Sequence, residues 1–152
     1  PEADAGSLHD RLAVLGAAIL AEALCVLAAG DGRWIPQDES RASHAPKLGE
    51  ADCRVEFAGD AASLVNRIRG LAPAPGAYAI LGDGRRLRLL KAEAREASGP
   101  PGVVLAIEDT SVVVGTGAGA VALREVQPEG KRRMTAAEFA RGRRLGIGVR
   151  CV

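Results

Sequence analysis

The sequence predicts a mixed α+β fold, mainly of β-strands, in which a long N-terminal helix and a linker precede one small domain. Three observations support this prediction. Apolar residues recur at helical spacing up to residue 30, and residues 31–48 are proline-containing and polar without an apolar period. From residue 77 onward, short apolar runs are separated by turn residues, which is typical of strands. A chain of 152 residues is long enough for one domain with its own core.

The N-terminal helix is predicted to begin at Ser7, a suitable N-cap with Asp10 three residues later, and to be capped at its end by Gly30. Its apolar positions are Leu12, Leu15, Ile19, Val26 and Leu27. A helix with such a wide apolar face usually packs on a sheet, and no strand lies near it in the sequence. The helix therefore indicates that the chain is a fragment of a larger fold.

The sequence is not expected to span a membrane or to carry a signal peptide. Glu22 interrupts the apolar run of residues 17–29, and a spanning helix needs about 20 apolar residues. Residues 1–4 lack the basic region and cleavage site of a signal peptide. Cys25, Cys53 and Cys151 are far apart and odd in number, which favours reduced cysteines and a cytoplasmic location over a disulfide framework.

The remaining residues predict a small barrel. A short strand is expected at residues 54–57, and Asp60 is expected to cap a helix that ends before Pro73. Five further strands are predicted at residues 77–81, 85–93, 103–107, 111–114 and 120–126. Short strands with one helix among them are typical of a small, open, OB-like β-barrel, here with an inserted helix and a C-terminal helix.

A glycine-rich segment between two predicted strands has two interpretations. Residues 115–120, GTGAGA, match the loose pattern G-x-G-x-x-A of a dinucleotide-binding loop. That loop requires a helix directly after it. Here Pro128 follows closely, and Val121 and Leu123 alternate as in a strand. The context favours a hairpin turn over a cofactor loop.

The C-terminal helix is predicted to begin at Thr135, because Thr135 and Glu138 have the spacing of a capping box. Met134 and Phe139 occupy the positions of a hydrophobic staple, which fixes the start of the helix to a core. Pro128 is expected to end the preceding strand, since proline offers no amide hydrogen to a sheet. This segment therefore holds a basic loop rigidly against a basic helix.

Positive charge is concentrated after residue 60. Residues 1–60 contain 5 Lys and Arg against 11 Asp and Glu, a net charge of −6, whereas residues 61–152 contain 15 against 8, a net charge of +7. Such asymmetry favours a polyanionic partner, although arginines on strands also serve simply to solubilise a surface. The candidate phosphate-binding residues lie in a predicted hairpin, a loop and the C-terminal helix: Arg85, Arg86, Arg88, Lys131, Arg132, Arg133, Arg141, Arg143 and Arg144.

The same residues indicate which partner and which chemistry to expect. Tyr78 is the only aromatic residue among the strands predicted after residue 76, so few side chains are available to stack on bases. The sequence therefore predicts contacts to the sugar–phosphate backbone of a folded RNA rather than readout of single-stranded bases. No catalytic, metal or cofactor site is predicted, because His9 and His44 lack partners at metal-ligand spacing and no nucleophile–base pair is apparent.

Five motifs occur in the order found in one enzyme family. They are SLHDRL at residues 7–12, PQ at 36–37, APKL at 45–48, RIRGLAPAPGA at 67–77 and QPEGKRRMTAAEF at 127–139. In order and spacing, the chain resembles bacterial methionyl-tRNA formyltransferase over essentially all of its length. It departs from the family at Ala74, where tryptophan is common, and at His44, where tyrosine is usual. Both departures reduce apolar anchoring near the linker.

The resemblance implies three segments. Residues 1–30 resemble the terminal helix of an absent Rossmann-like formyltransferase domain, residues 31–48 the linker, and residues 49–152 an OB-like tRNA-binding domain. In the family, the enzyme transfers a formyl group from 10-formyltetrahydrofolate to the amino group of methionyl-initiator tRNA during translation initiation. Its catalytic residues lie in the N-terminal domain. The expected partners are initiator methionyl-tRNA and the catalytic domain of the same polypeptide, in a cytoplasmic monomer without membrane contact.

The resemblance also implies that this chain alone is inactive and binds no folate. Two alternatives stay open at this point. In the first, the chain is a free-standing OB-like nucleic-acid-binding module. In the second, it is the C-terminal domain of a related formyltransferase that acts on folate or a nucleotide sugar. A further alternative concerns only the loop at residues 131–133, which would then face the catalytic domain instead of RNA.

Overall fold

The computed structural model describes residues 3–150. The helices among these residues are α1 (Ala5–Ala28), α2 (Glu50–Cys53), α3 (Ala61–Leu71) and α4 (Ala136–Arg143), with a short 3-10 helix at Glu39–Arg41. The strands are β1 (Ala77–Ile80), β2 (Arg86–Arg95), β3 (Val104–Ile107), β4 (Val112–Gly115), β5 (Ala120–Pro128) and β6 (Met134–Thr135).

The strands form one antiparallel sheet of six strands in the order β1-β2-β5-β4-β3, with β6 pairing on β5. The ladder between β2 and β5 runs from Leu87 opposite Pro128 to Arg95 opposite Ala120, with register shifts on either side of Lys91. The sheet is open and does not close into a barrel through its named strands. The prediction of an open, OB-like α+β fold is confirmed.

Helix α1 begins three residues earlier than the sequence predicted. Asp4, not Ser7, is the N-cap, and its carboxylate accepts a hydrogen bond of 2.7 Å from the amide of Ser7. The hydroxyl of Ser7 in turn accepts from the amide of Asp4 at 3.0 Å, so that Ser7 is the second member of a capping box. At its end the cap is Ala29, and Gly30, with a φ of +80°, lies one position further on.

Helix α1 buries none of its residues in the described part of the chain. Its first turn is tied to the end of α3 by a hydrogen bond of 3.1 Å from the amide of Gly6 to the carbonyl of Ala72. Among residues 3–150 it is the one helix long and apolar enough to cross a membrane, with a mean hydropathy of 2.0. The expectation that no segment reaches this composition was wrong, because Glu22 alone does not offset the surrounding Ala, Leu and Val residues. A core helix of a soluble protein meets the same criterion.

The core lies between the sheet and α3. Asp60 caps α3 as predicted, accepting a hydrogen bond of 2.8 Å from the amide of Ser63. The helix buries Ala61, Leu64, Ile68 and Leu71. These side chains join one cluster with residues from β1, β2, β4, β5 and α4, among them Leu89, Val114, Val126 and Phe139.

The strand predicted at residues 54–57 does not form. Arg54 makes a single parallel bridge to Tyr78, and the amide of Val55 donates to the carbonyl of Tyr78 at 2.9 Å. The carbonyl of Phe57 then accepts from Gly117 at 2.9 Å, so the segment changes its backbone partner after a single bridge. The alternation that suggested a strand is still reflected in burial, because Val55 and Phe57 are buried and Glu56 is exposed.

The glycine-rich segment is a hairpin turn, as predicted. Gly115 pairs with Ala120 between β4 and β5, and the amide of Thr116 donates to the carbonyl of Gly119 at 3.1 Å. Gly119 has a φ of +83°, which favours glycine. A Cβ atom on Gly117 would lie 1.9 Å from the carbonyl oxygen of Ala58. This glycine therefore permits close packing of two backbone segments.

The segment at residues 146–150 runs along β3. The amide of Val104 donates to the carbonyl of Val149 at 2.9 Å, and the amide of Gly148 donates to the carbonyl of Val104 at 2.8 Å. The guanidinium of Arg150 donates to the carbonyl of Pro101 at 3.0 Å. These bonds use the side of β3 that faces away from β4.

Candidate nucleic-acid interface

The three predicted basic segments lie at the same end of the sheet. Strand β2 begins at Arg86 and pairs with the end of β5, with Arg88 opposite Gln127 and Leu87 opposite Pro128. The turn before β2 therefore lies close to the loop after β5, which carries Lys131, Arg132 and Arg133. Helix α4 follows that loop directly. We call the nine predicted phosphate-binding residues the basic patch.

Asp83 links the hairpin turn to the end of α4. Its carboxylate accepts a hydrogen bond of 2.8 Å from Nε of Arg85 and a second bond from the guanidinium of Arg143. The hydrogen bond from Arg85, with further contributions from the Arg85 amide and Arg143, lowers the pKa of Asp83 to about 2. Residues 60 positions apart in the sequence are thus joined through one carboxylate.

Helix α4 is held rigidly by its cap and its buried face. The amide of Thr135 donates to the Glu138 carboxylate at 2.8 Å, and the amide of Glu138 donates to the Thr135 hydroxyl at 3.1 Å, as the predicted capping box requires. The bond from the Thr135 amide is the largest of several interactions that lower the pKa of Glu138. Phe139 is buried and Met134 packs partly buried against the same core. This packing fixes where Arg141, Arg143 and Arg144 lie.

Five residues of the basic patch have partners within the protein. Arg85 and Arg143 bind Asp83, and Arg133 lies 3.9 Å from the carboxylate of Glu125. Arg88 is half-buried and donates to the carbonyls of Pro73 and Pro75, each at 2.9 Å. These two bonds give Arg88 a structural role in the proline-containing turn before β1.

Arg86 is the fifth of these residues. Its guanidinium binds the carboxylate of Glu50 and lies 4.8 Å from the centre of the Tyr78 ring. The hydrogen bond and the charge of Glu50 raise the pKa of Arg86 further above its already high value. Arg86 thereby connects α2, at the end of the linker, to β1 and β2.

The other four residues of the basic patch are exposed and lack such partners. No carboxylate of residues 3–150 lies within 4.0 Å of the charged groups of Lys131, Arg132, Arg141 or Arg144. Arg144 caps the end of α4 with a φ of +52°, which places it in the turn after the helix. The carboxylate of Glu138 interacts with Arg132 and Arg141 only at longer range. These four cations are the members of the patch best able to bind an anion, because none would first have to break a direct salt bridge.

A groove of about 410 Å³ lies beside the basic patch, and we call it the Tyr78 groove. Its lining comes from the linker end, α2, the proline-containing turn, β1, β2 and the loop after β5: Leu48, Gly49, Glu50, Cys53, Pro75, Gly76, Tyr78, Arg86, Arg88 and Glu129. This groove could not be predicted from the sequence, because its residues come from separate segments whose individual patterns give no signal. Only the juxtaposition of α2, β1 and β2 in the fold brings them together.

The remaining titratable candidates lie apart from this surface. His9 and His44 are exposed, on α1 and in the linker. Cys25 is exposed and Cys53 is buried, and both are free thiols, whereas Cys151 lies outside the described residues. Within residues 3–150, no group of three or more His, Cys, Asp or Glu side chains is arranged to hold a metal ion.

Comparison with known proteins gives consistent matches. The family model described as formyl transferase, C-terminal domain, matches residues 47–144. Methionyl-tRNA formyltransferase of Heliobacterium modesticaldum is 41% identical over 160 aligned residues, which cover 99% of this chain and 50% of that protein. The protein of the same name from a Methylobacterium species is 42% identical over 99% of this chain and 48% of its own length. The chain thus spans about half the length of the curated relatives that it matches.

A solved structure is also similar. The crystal structure of HypX from Aquifex aeolicus in complex with tetrahydrofolic acid has a TM-score of 0.67 and 28% sequence identity. The match covers 84% of this chain and 23% of that one.

Proposed function

We propose that this chain, which belongs to the family of formyl transferase C-terminal domains, is the tRNA-binding part of a methionyl-tRNA formyltransferase. In this proposal the basic patch holds the sugar–phosphate backbone of initiator methionyl-tRNA. The preceding half of the polypeptide transfers the formyl group from 10-formyltetrahydrofolate to the amino group of the methionyl residue. The names of the two curated relatives support this assignment.

One observation carries the proposal for this chain's own residues. Lys131, Arg132, Arg141 and Arg144 are exposed at one end of the sheet, and none of them forms a salt bridge within 4.0 Å in the described part of the chain. When exposed Lys and Arg side chains bind phosphates, the counterions condensed on the RNA are released, and this is the main sequence-independent source of RNA affinity. Packing and the capping box hold α4 in place, so that the backbone positions of Arg141 and Arg144 are set before the RNA binds.

Helix α1 has a different role in the proposal. Its apolar side chains are exposed, including Leu15, Ile19 and Leu24, and they would pack against the catalytic half of the same polypeptide. Residues 1–30 then belong to that half, residues 31–48 form the linker, and residues 49–152 form the tRNA-binding domain. The whole protein would act as a cytoplasmic monomer without membrane contact. We also propose that the folate and the catalytic residues belong to the preceding half, so that this chain alone does not formylate tRNA.

The test is the salt dependence of tRNA binding by the 152-residue chain. Replacing Lys131 and Arg132 with alanine should weaken binding and reduce the slope of log affinity against log salt concentration by about 0.7–0.9 for each lost phosphate contact. A matched control replaces Arg11 and Arg41, two exposed cations on α1 and in the linker. Both double variants lower the net charge equally, so only the first should change the slope. An unchanged slope in the first variant would contradict the role of this loop.

A second candidate function is the C-terminal domain of a related formyltransferase that acts on another substrate. The similarity to HypX supports this candidate, although the two curated relatives are more similar in sequence. The same titration separates the two candidates. A chain of this second kind would show no salt-dependent affinity for tRNA in either double variant or in the wild type.

A further inference from the structure

We propose that the Tyr78 groove binds one unpaired guanine base of the RNA. The inference rests on the proposed function and goes beyond it, because the basic patch alone accounts only for contacts to phosphates. It departs from the sequence-based prediction of contacts to the RNA backbone rather than readout of unpaired bases. The groove lies beside the patch, since Arg86 and Arg88 line it and Glu129 lies two residues before Lys131.

The charges that line the groove favour a neutral ligand. The lining contains two arginines, Arg86 and Arg88, and two glutamates, Glu50 and Glu129, so that the formal charges cancel. A phosphate in this groove would be repelled by both carboxylates, and both arginines already donate to acceptors within the protein, Arg86 to Glu50 and Arg88 to two proline carbonyls. A base carries no net charge, so the carboxylates do not repel it. The phosphates of the same nucleotide strand would instead reach the unpaired cations next to the groove.

The shape of the lining suits a flat ligand. The guanidinium of Arg86 lies 4.8 Å from the centre of the Tyr78 ring, and the carboxylate of Glu50 holds the guanidinium there. Proteins that recognise unpaired RNA bases stack them on aromatic rings and on guanidinium planes. Leu48 and Pro75 add apolar surface to the lining. A base that enters the groove would extend the stack that Arg86 and Tyr78 already form.

Glu129 selects the base. Its carboxylate forms no hydrogen bond and no salt bridge within 4.0 Å in the described part of the chain and interacts with Arg86 only at longer range, whereas that of Glu50 binds Arg86 directly. A carboxylate only accepts hydrogen bonds, so it favours a base edge that donates them. Guanine presents two adjacent donors, N1–H and the N2 amino group, that match the two carboxylate oxygens. Adenine, cytosine and uracil do not offer such a pair.

The first test measures amide NMR shifts of the 152-residue chain titrated with GMP, AMP, CMP, UMP and ribose 5-phosphate. We expect GMP to shift the amides of Gly49 and Gly76 at the lowest concentration, and ribose 5-phosphate to leave them unmoved. The Glu129→Gln variant should bind GMP about fivefold or more weakly, which is the lower limit for a two-bond contact to a base edge. Equal shifts from all four nucleotides, shifts from ribose 5-phosphate, or no shift of these amides would overturn the proposal.

The second test separates this inference from the proposed function. Glu129→Gln removes a negative charge next to the basic patch, so electrostatics alone would strengthen tRNA binding. The proposal predicts weaker binding with an unchanged salt slope, because a base contact is lost and no phosphate contact is. In the control variant Glu96→Gln, an exposed carboxylate beyond the far end of β2 is removed, and tRNA affinity should not fall.

Salt-dependent tRNA binding that Glu129→Gln strengthens or leaves unchanged would overturn the guanine site alone. A wild-type chain that does not bind tRNA would overturn the proposed function, and this inference with it.

Discussion

Helices α1 and α4 begin with the same device and differ in what lies beneath them. Each starts with a capping box, formed by Asp4 and Ser7 in α1 and by Thr135 and Glu138 in α4. Helix α1 has 24 residues and buries none of them in the described part of the chain. Helix α4 has eight residues and buries four, Ala136, Ala137, Phe139 and Ala140.

A capping box is sufficient to start a helix, but it does not determine whether the helix packs into the fold. A cap satisfies backbone amides and defines where a helix begins, but most of the stability of a helix in a protein comes from packing of its apolar face. Helix α4 has its partner in this chain, so the arginines that it carries are fixed in space. Helix α1 has apolar side chains that stay exposed among residues 3–150, which is why we propose that they pack against the preceding half of the polypeptide.

The largest expected difference is between two apolar truncations. Phe139→Ala should lower the free energy of unfolding by about 3–5 kcal/mol, because it removes a buried aromatic side chain and leaves a cavity. Ile19→Ala should change it by less than about 0.5 kcal/mol, since Ile19 is 65% exposed. Chemical denaturation of the 152-residue chain, followed by near-ultraviolet absorbance or tyrosine fluorescence, measures both. Equal effects would mean that α1 packs on the domain after all.

A smaller difference is expected between the two caps. Thr135→Ala should lower the free energy of unfolding by about 1 kcal/mol, because the amide of Glu138 loses its acceptor. Thr135→Ser keeps the hydroxyl and serves as the control. Asp4→Ala should reduce the helical circular dichroism signal of α1 without moving the denaturation midpoint of the domain. A midpoint shift as large as that of Thr135→Ala would show that α1 and the domain unfold together.

The smallest expected effect is a loss of folding stability at acid pH. The pKa of Asp83 is about 2 in the folded chain, below its ordinary value of 3.8. A group whose pKa is lowered by folding contributes stability above its unfolded pKa, and this contribution is lost as the pH falls through the folded pKa. The stability that wild type has over Asp83→Asn should therefore decrease between pH 4 and pH 2. A difference that stays constant over this range would mean that the carboxylate charge does not hold α4 to the hairpin turn.

The sequence predicted those parts of the fold that depend on local patterns. The strands after residue 76, the caps at Asp60 and Thr135 and the hairpin at residues 115–120 all follow from alternation, capping residues and turn residues. The prediction of a strand at residues 54–57 was wrong, because the surrounding fold determines the backbone partners of this segment and they change after one bridge. The start of α1 was misplaced because Asp4 and Ser7 are both good caps three residues apart, and the sequence does not rank them.

The candidate interface was predicted in pieces and not as a surface. The basic residues of the hairpin, the loop and α4 were identified, but their junction through Asp83 depends on the register of β2 against β5 and on the packing of α4. The division into paired and unpaired cations also needs the fold, since Glu50 and Glu125 are distant in sequence from Arg86 and Arg133. The Tyr78 groove has no counterpart in any single motif.

The segment at residues 146–150 has a consequence for solubility. Strand β3 ends the hydrogen-bonded order of the sheet, and an uncovered terminal strand offers its free amides and carbonyls to strands of other molecules. The bonds between Val104, Gly148 and Val149 use the amide and the carbonyl of Val104 on that side, at the start of β3. The segment therefore hinders growth of the sheet by addition of a second molecule, and a chain shortened at residue 145 should aggregate at lower concentration than the 152-residue chain.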